Sequence, residues 1–352
     1  MIAASREPHQ PDPTSPEPRA WQRELAEAVT DPGELLDLVG LDREPWLAAA
    51  RRAATLFPLR VPRPYVARMR RGDANDPLLR QVLPLAEEFA PQPPSFVADP
   101  VGDLAVAAHP GVLRKYRGRA LLVTTGACAV HCRYCFRREF PYGEQLASTG
   151  HWAAAVAALR ADTDAREVLL SGGDPLSLAT HKLAELTTQL ATMPHVERLR
   201  IHTRQPIVLP SRVDEALVSW LASLRWPTTI VLHVNHAQEL DGPTIEALAR
   251  LRATRAHLLN QSVLLRGVND DAATLAALSV ALHAAGVLPY YLHGLDPVRG
   301  SAHFDVPDDE ARRLHEALIR ELPGYLVPRL VREVPGAPSK VSISSVGTAR
   351  TG

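Results

Sequence analysis

The chain has 352 residues, enough for one large α/β domain or a barrel with appendages. Basic and acidic residues both number 39, so the net charge is zero and no field of one sign favours nucleic acid as the main partner. The chain start has no apolar signal region and no segment approaches membrane-spanning length, so we expect a cytoplasmic protein with neither a membrane nor a nucleic-acid partner.

Two segments precede the main body of the chain. Residues 1–20 are rich in proline and poor in apolar side chains, which predicts a disordered tail. Residues 21–105 carry short amphipathic patterns, which predict a helical region. Asp31 is the expected N-cap of one of its helices and Pro32 the first helical residue. Prolines interrupt this region repeatedly, so its helices should be short.

Residues 106–305 alternate apolar runs with helical segments, a pattern typical of parallel strands covered by helices. The candidate strands are 120–125, 167–170, 198–202, 229–234, 258–265 and 287–293. The candidate helices lie near 145–160, 178–192, 213–224, 243–253, 271–284 and 308–321. Six such units predict a partial (β/α)6 barrel of the TIM type, with an open doubly wound sheet as the alternative. Residues 306–352 would add a helix and a short C-terminal segment.

All three cysteines of the chain lie in one window, Cys128-Ala-Val-His-Cys132-Arg-Tyr-Cys135. Three converging thiolates suit an iron–sulfur cluster or zinc. A zinc site would need His131 as its fourth ligand, but adjacent side chains rarely converge on one tetrahedral ion. A redox pair of Cys132 and Cys135 would leave Cys128 unexplained. We favour a four-iron cluster, in which one iron is left without a protein ligand.

Several polar residues follow predicted strands. Gly172-Gly173-Asp174 comes after the second strand and Asp296 after the sixth. Residues beyond the carboxyl ends of parallel strands form the active sites of barrel and doubly wound enzymes. Two adjacent glycines would let a ligand approach the backbone and reach its N–H groups, although an ordinary turn explains the same residues.

Only three of the 39 basic residues are lysines: Lys115, Lys182 and Lys340. Lysine can form a Schiff base with an aldehyde, whereas arginine stays protonated and cannot. Lys340 follows the turn-forming segment Pro335-Gly-Ala-Pro-Ser, which would aim its amine inward. A solvated surface charge is the alternative for such a lysine.

The C-x3-C-x2-C motif after a first barrel strand resembles the radical S-adenosylmethionine (radical SAM) superfamily. The resemblance implies a radical SAM barrel fold and a [4Fe–4S] cluster on the three cysteines. The amino and carboxylate groups of S-adenosylmethionine would chelate the open iron. Further contacts to S-adenosylmethionine are implied for the Gly-Gly-acid element and for an aromatic residue that meets the adenine: Gly172, Gly173, Asp174 and Tyr134.

The segment around Lys340 is similar to the pyridoxal-phosphate-binding segment of the lysine 2,3-aminomutase family, which combines this cofactor with a radical SAM cluster. The resemblance implies that Lys340 binds pyridoxal 5′-phosphate. Lys115 and Tyr116 align with the residues that contact the phosphate and the ring of that cofactor.

The same resemblance implies the residues that bind the substrate. Arg137 matches the arginine that clamps the substrate carboxylate, and a guanidinium suits a carboxylate because it can bind both oxygens. Asp296 and Glu333 match two acids that grip the distal ammonium of lysine. Glu333 departs from the aspartate of free-standing lysine aminomutases, so its reach could differ.

One branch of this family supplies β-lysine for the modification of elongation factor P, and two features resemble it. These are the opening segment from Trp21 and Phe136 beside the cysteines. Twelve residues follow Lys340 in the sequence, so we expect the zinc-binding extension of free-standing aminomutases to be missing. The branch implies an isomerase that converts (S)-α-lysine to (R)-β-lysine. Its partners would be elongation factor P, a separate lysyl ligase and an unidentified electron donor. A free-standing lysine 2,3-aminomutase and a non-catalytic metal-binding module are the alternatives.

Overall fold

The structure is a computed structural model and describes residues 19–147 and 152–343. Its α-helices are α1 (Ala20–Ala26), α2 (Pro32–Val39), α3 (Leu47–Leu56), α4 (Arg63–Val66), α5 (Pro77–Arg80), α6 (Ala153–Ala161), α7 (Thr180–Ala191), α8 (Gln205–Val208), α9 (Glu215–Ser223), α10 (Gly242–Ala253), α11 (Ala272–Ala284) and α12 (Asp308–Glu321). Its strands are β1 (Ala107–His109), β2 (Val112–Leu113), β3 (Arg119–Thr125), β4 (Glu167–Gly172), β5 (Arg198–Thr203), β6 (Thr228–Leu232), β7 (His257–Val263), β8 (Leu288–His293), β9 (Arg329–Arg332) and β10 (Val341–Ser342). The predicted tail lies outside the described residues, apart from its last two positions.

The strands of the described chain form one sheet whose spatial order follows the sequence from β1 to β10. Strands β3 to β9 are parallel, whereas β1 and β2 at one edge and β10 at the other are antiparallel to their neighbours. A doubly wound sheet would reverse its strand order, and this one does not. Because β1 and β10 each have one neighbour, the sheet stays open. The prediction of an α/β partial barrel is confirmed, with β3 to β8 as its six strands.

The segment after residue 305 extends the sheet further than the sequence predicted. It contributes β9, a seventh parallel strand, and β10, where we expected one helix and a short segment. The sequence Arg329-Leu-Val-Arg332 is too short for its periodicity to be recognised. The addition matters for function, because β9 ends directly before Glu333 and β10 begins directly after Lys340.

The two faces of each parallel strand carry different side chains. In β5, Leu199 and Ile201 are buried in the same core as Leu190 of α7. The alternate residues Arg200 and His202 belong to the other face, which lines the barrel interior. The helices therefore cover an apolar outer face, and the interior keeps polar side chains for a site.

The N-terminal helices pack against the segment that carries the cysteines. Val61 and Leu79 share a buried core with Ala129 and Val130, which lie between the first two cysteines. The helical region therefore supports the cysteine segment.

None of the helices in the described residues is long and apolar enough to cross a membrane.

The start of α2 follows the prediction made from its sequence. The side chain of Asp31 accepts a hydrogen bond from the backbone N–H of Glu34 at 2.9 Å, and Pro32 is the first helical residue. The carboxylate satisfies an N–H group that has no partner within the helix.

Candidate active site

The three cysteines lie in the loop after β3, and their thiols affect one another electrostatically. Burial raises the pKa of Cys128 well above its usual value, and the charges of Asp174 and of the other two thiols raise it further. Burial, followed by Cys132, raises the pKa of Cys135 to about 11. Three thiolates at this site would need a compensating positive charge, which a metal centre supplies. The donor set therefore fits a bound metal cluster.

The side chain of His131 is turned away from the thiols. Its Nδ1 lies 2.8 Å from the carbonyl oxygen of Pro58, and its ring stacks on Phe57 with centroids 5.0 Å apart. In the described part of the chain, no three His, Cys, Asp or Glu side chains converge closely enough for a single metal ion. His131 is therefore not placed to supply the fourth ligand of a zinc site on the three thiols.

A buried ion triad fixes the cysteine segment to the N-terminal region. Arg133 donates from Nε and Nη2 to the two carboxylate oxygens of Glu88, at 2.8 and 2.6 Å. Arg138 donates to the same carboxylate at 2.7 Å. The side chains of Arg133 and Glu88 are fully buried, so water does not reach this pair. Its two parallel hydrogen bonds fix the orientation of the guanidinium relative to the carboxylate. The triad holds the backbone that carries the last two cysteines.

Gly172 and Gly173 let the end of β4 approach the start of the cysteine segment. Gly172 has a φ of +124°, and a Cβ there would lie 2.5 Å from the Thr125 carbonyl oxygen. A Cβ on Gly173 would lie 2.4 Å from the Ala127 carbonyl oxygen. The N–H of Gly173 donates to the Thr125 oxygen at 2.6 Å, so it is not open to a ligand as we expected from the sequence. Close backbone packing is the physical reason for glycine at both positions.

The carboxylate of Asp174 ties the end of β4 to the end of β5. It accepts the hydroxyl of Thr203 at 2.7 Å and the backbone N–H groups of Arg204 and Gln205 at 2.7 and 3.0 Å. Burial raises the pKa of Asp174, and these hydrogen bonds oppose the rise. The acid of the Gly-Gly-acid element therefore fixes the ends of β4 and β5 relative to each other, within electrostatic range of the Cys128 thiol.

Five charged side chains form a continuous series of contacts from the end of the cysteine segment to Lys340. The Nε of Arg137 lies 2.8 Å from one carboxylate oxygen of Asp103, and the Nζ of Lys115 lies 2.9 Å from the other. Lys115 Nζ also lies 3.4 Å from Glu333 Oε1, and Glu333 Oε2 lies 2.8 Å from Lys340 Nζ. Burial would raise the pKa of Asp103, but Arg137 and Lys115 hold it below its usual value. The amine of Lys340 thus belongs to the barrel interior and not to its outer wall.

The β9–β10 pairing explains why Glu333 and Lys340 meet. Arg332 pairs with Val341 in the antiparallel ladder, so the next residues outward face each other. Tyr116 donates its hydroxyl to Glu333 at 2.5 Å. Burial would raise the pKa of Glu333, but the charge of Lys340 and these hydrogen bonds hold it below its usual value. Glu333 is therefore an ionised acceptor.

Several buried polar atoms without partners in the described residues belong to side chains that feel the charge of the Lys340 amine. Oδ1 of Asp296 is enclosed without a hydrogen-bond partner in the described residues, and burial raises the pKa of Asp296 to about 7 although Lys340 opposes the rise. Burial, with the charge of Lys340 adding to it, lowers the pKa of His202, His233 and His293. Nε2 of His202 and of His293 likewise lacks a partner within the described chain. Buried polar atoms are normally hydrogen-bonded, so these atoms are candidates to bind a polar ligand.

Tyr134 belongs to a second polar network, centred on Arg204. Nη1 of Arg204 donates to the Tyr134 hydroxyl oxygen at 2.6 Å and lies 2.8 Å from the sulfur of Cys132. Nη2 donates to Glu239 at 2.8 Å and to the side-chain oxygen of Gln81 at 2.7 Å. Because Tyr134 directly precedes Cys135, this network orients the ring beside the thiols.

Residues 122–278 match the radical SAM superfamily, a stretch that holds the cysteines and the Gly-Gly-acid element. The chain is 50% identical over 329 residues to L-lysine 2,3-aminomutase of Escherichia coli K12, covering 94% of this chain and 96% of that protein. It is 43% identical over 331 residues to the protein of that name from Haemophilus influenzae, covering 94% and 97%. For that of Clostridium subterminale the identity is 31% over 324 residues, covering 92% and 77%. The chain belongs to the lysine 2,3-aminomutase family of the radical SAM superfamily.

Lysine 2,3-aminomutases are isomerases, and the family uses a [4Fe–4S] cluster, S-adenosylmethionine and pyridoxal phosphate. The residues of this aminomutase fit these groups. Three mutually close thiols suit the cluster, and the Lys340 amine beside unpaired polar atoms suits an aldehyde cofactor.

The structure gathers the predicted site residues of this aminomutase into two neighbouring groups. The first lies in the barrel interior and comprises Lys340, Glu333, Lys115, Tyr116, Asp296 and Arg137. Arg137 joins this group because Asp103 pairs with both Arg137 and Lys115. The second surrounds the thiols and comprises Cys128, Cys132, Cys135, Tyr134, Gly172, Gly173 and Asp174. The roles expected of these residues remain predictions.

Sequence reasoning missed several residues of the aminomutase site. Asp103 stands in a proline-rich stretch, where a single acid forms no pattern. The buried histidines carried a usable signal, because His202 and His293 lie at the ends of β5 and β8 and His233 directly follows β6. Polar residues at the ends of parallel strands are the ones that reach a barrel site.

Gly173→Ala should destabilise the aminomutase and loosen the cysteine segment. The new Cβ would lie 2.4 Å from a backbone oxygen, so either β4 or the segment must shift. We expect a loss of about 1–3 kcal/mol in unfolding free energy and a lower iron content after reconstitution. Gly324→Ala is the control, because no atom lies within 4 Å of its Cβ position and it precedes β9, whose other end leads to Glu333. Equal urea midpoints for the two variants would contradict this account.

Asp296 should make the stability of the aminomutase depend on pH. Its pKa is about 7 in the folded protein against 3.8 for an ordinary aspartate, so the folded state binds more protons between these values. The free energy of unfolding therefore falls as the pH rises from about 4 to about 7. At about 1.4 kcal/mol per pH unit, the total loss is at most about 4 kcal/mol. Asp296→Asn should flatten this dependence. Urea unfolding of both proteins without cofactors tests it, and parallel curves would show that Asp296 is not the titrating group.

Proposed function

We propose that this aminomutase converts (S)-α-lysine to (R)-β-lysine by moving the amino group from C2 to C3. The position of Lys340 carries the proposal. Its amine lies in the barrel interior, 2.8 Å from Glu333, and ion pairs connect it to Arg137 near the thiols. An amine that can hold an aldehyde therefore lies within the same interior as the radical SAM motif, which is the combination that such a migration requires.

Each cofactor has residues that would hold it. The cysteines would hold the cluster, the Gly-Gly-acid element and Tyr134 would hold S-adenosylmethionine, and Lys340 would hold pyridoxal phosphate with Lys115 and Tyr116 at its phosphate and ring. When bound, these groups supply a carbon radical that removes hydrogen and an aldehyde that carries the migrating nitrogen. The chain itself supplies position and excludes water from the barrel interior.

Side chains of opposite charge would bind the two ends of the substrate lysine. The planar guanidinium of Arg137 would bind the α-carboxylate, and Asp296 and Glu333 would bind the distal ammonium. The contact between Glu333 and the ammonium of Lys340 supports this, since Glu333 already pairs there with an alkylammonium. The unpaired Oδ1 of Asp296 supplies a further acceptor. With pyridoxal phosphate bound to Lys340, Glu333 would lose this ion pair and could accept the substrate ammonium instead.

We also propose that the product serves the modification of elongation factor P. A separate lysyl ligase would attach it, and an external one-electron donor would reduce the cluster. The support is the similarity of the Trp21 segment and of Phe136 to the corresponding branch of the family. A deletion strain whose elongation factor P keeps its modified mass would contradict this link.

Anaerobic incubation of the reconstituted protein with α-lysine labelled with 15N at C2 tests the reaction. Magnetic resonance should show the label on C3 after turnover. 2-Aminohexanoic acid, which lacks the distal amine, is the matched control and should stay unchanged because nothing pairs with Asp296 and Glu333. Unchanged lysine in a protein with full iron, sulfide and pyridoxal phosphate would overturn the proposal.

A further inference from the structure

We infer that Arg204 is a positioning residue that raises the reduction potential of the cluster by donating a charge-assisted hydrogen bond to the sulfur of Cys132. The inference rests on the part of the proposed function that places a cluster on the three cysteines. It does not depend on lysine being the substrate. The observation behind it is the distance of 2.8 Å between Arg204 Nη1 and Cys132 Sγ.

The guanidinium of Arg204 is held in place from several sides. Its Nη2 donates to Glu239, Gln81 and the Tyr65 hydroxyl at 2.8, 2.7 and 3.1 Å. Its Nη1 also donates to the Tyr134 hydroxyl oxygen at 2.6 Å. The side chain is 7% exposed, so water screens its charge weakly. A donor fixed by four other groups keeps its direction towards the sulfur.

A fixed cation beside a ligand sulfur favours the reduced state. One-electron reduction adds one negative charge to the cluster and its sulfur ligands, and no proton has to move. Hydrogen bonds to the sulfurs and nearby charges are the means by which proteins set cluster potentials. The N–H of Arg204 and its positive charge stabilise the added charge, so both raise the potential.

Glu239 acts in the opposite direction on the same sulfur. Its carboxylate lies 2.8 Å from the Arg204 guanidinium and compensates part of that positive charge. Neutralising Glu239 should raise the potential, whereas neutralising Arg204 should lower it. General loosening of the site would not produce shifts of opposite sign.

The test is an anaerobic redox titration of the reconstituted protein with dithionite as electron source, followed by the electron paramagnetic resonance signal of the reduced cluster. We expect a lower midpoint potential for Arg204→Gln, a higher one for Glu239→Gln and a value between Arg204→Gln and wild type for Arg204→Lys. Arg68→Gln is the matched control. Arg68 is equally buried, lies over the Tyr65 ring at 5.0 Å and donates to the Glu239 carbonyl oxygen at 2.6 Å. Its other hydrogen bonds go to Pro64, Thr244 and Ile207 rather than to Cys132.

Iron and sulfide analysis accompanies each titration. An Arg204→Gln protein with full iron and a wild-type potential would overturn the inference, as would equal shifts for Arg204→Gln and Arg68→Gln. If Arg204→Gln retains no iron, the Glu239→Gln protein decides: a higher potential supports the inference, and an unchanged or lower one rejects it. A wild-type protein without iron and sulfide would instead contradict the proposed function.

Discussion

Lys340→Ala is expected to abolish both aminomutase turnover and the visible absorbance of bound pyridoxal phosphate. Methyl replaces the amine that would hold the aldehyde, so the cofactor loses its covalent attachment. We expect turnover to fall by at least about a thousandfold. This is less than the acceleration that correct positioning of two reacting groups can provide. Absorption spectroscopy after incubation with pyridoxal phosphate and the labelled-lysine assay measure the two effects.

The control for Lys340 is Lys182→Ala. Lys182 is on α7, exposed and paired with Glu185, so its loss should leave absorbance and turnover unchanged. Lys340→Ala should remain folded, because Glu333 keeps contacts with Lys115 and Tyr116 and the change costs no more than about 1–2 kcal/mol. A persistent absorbance band in the folded Lys340→Ala protein would place the attachment at another amine.

Glu88→Ala is expected to cause the largest loss of stability and to release the cluster. The change leaves the guanidinium groups of Arg133 and Arg138 buried without their shared carboxylate. Breaking a buried pair in this way costs about 3–5 kcal/mol. Because Arg133 lies between two cysteines, the strain falls directly on the thiols. Urea unfolding and iron analysis after reconstitution measure both effects.

Glu197→Ala provides the comparison for Glu88. Glu197 also pairs with two arginines, Arg166 and Arg198, but its side chain is 45% exposed. Exposed pairs contribute about 0–1 kcal/mol, so this variant should keep its urea midpoint and its iron. If Glu88→Ala and Glu197→Ala had the same iron content, the triad would have no part in holding the cysteine segment.

Most of the fold was readable from local patterns. The six apolar runs correspond to β3 to β8, and the helices between them lie within a few residues of the expected positions, apart from α6, which starts later. The runs were recognisable because parallel strands are covered by helices and are therefore rich in apolar residues. β1, β2, β9 and β10 were not readable, since elements of two to four residues carry no measurable period.

The residue types of the site could be predicted from the sequence, but most of the contacts between them could not. The cysteine spacing and the scarcity of lysine pointed to Cys128 and Lys340. Neither pattern predicted that Asp103 joins Arg137 to Lys115, or that the Gly173 N–H is already bonded to a backbone oxygen. These contacts depend on the path of a proline-rich stretch and on the close approach of two loops.

By itself, the sequence determined which residue types are available: three thiols spaced for a cluster, a lysine that we expect to hold an aldehyde, and parallel strands that collect polar residues at one end. Only the tertiary structure decided which groups meet. Arg204 contacts Cys132 across 72 positions of the chain, and Tyr116 contacts Glu333 across 217. The physical reason is that motifs and periods describe neighbours along the chain, whereas such contacts arise from strand order and from the long-range packing of the sheet.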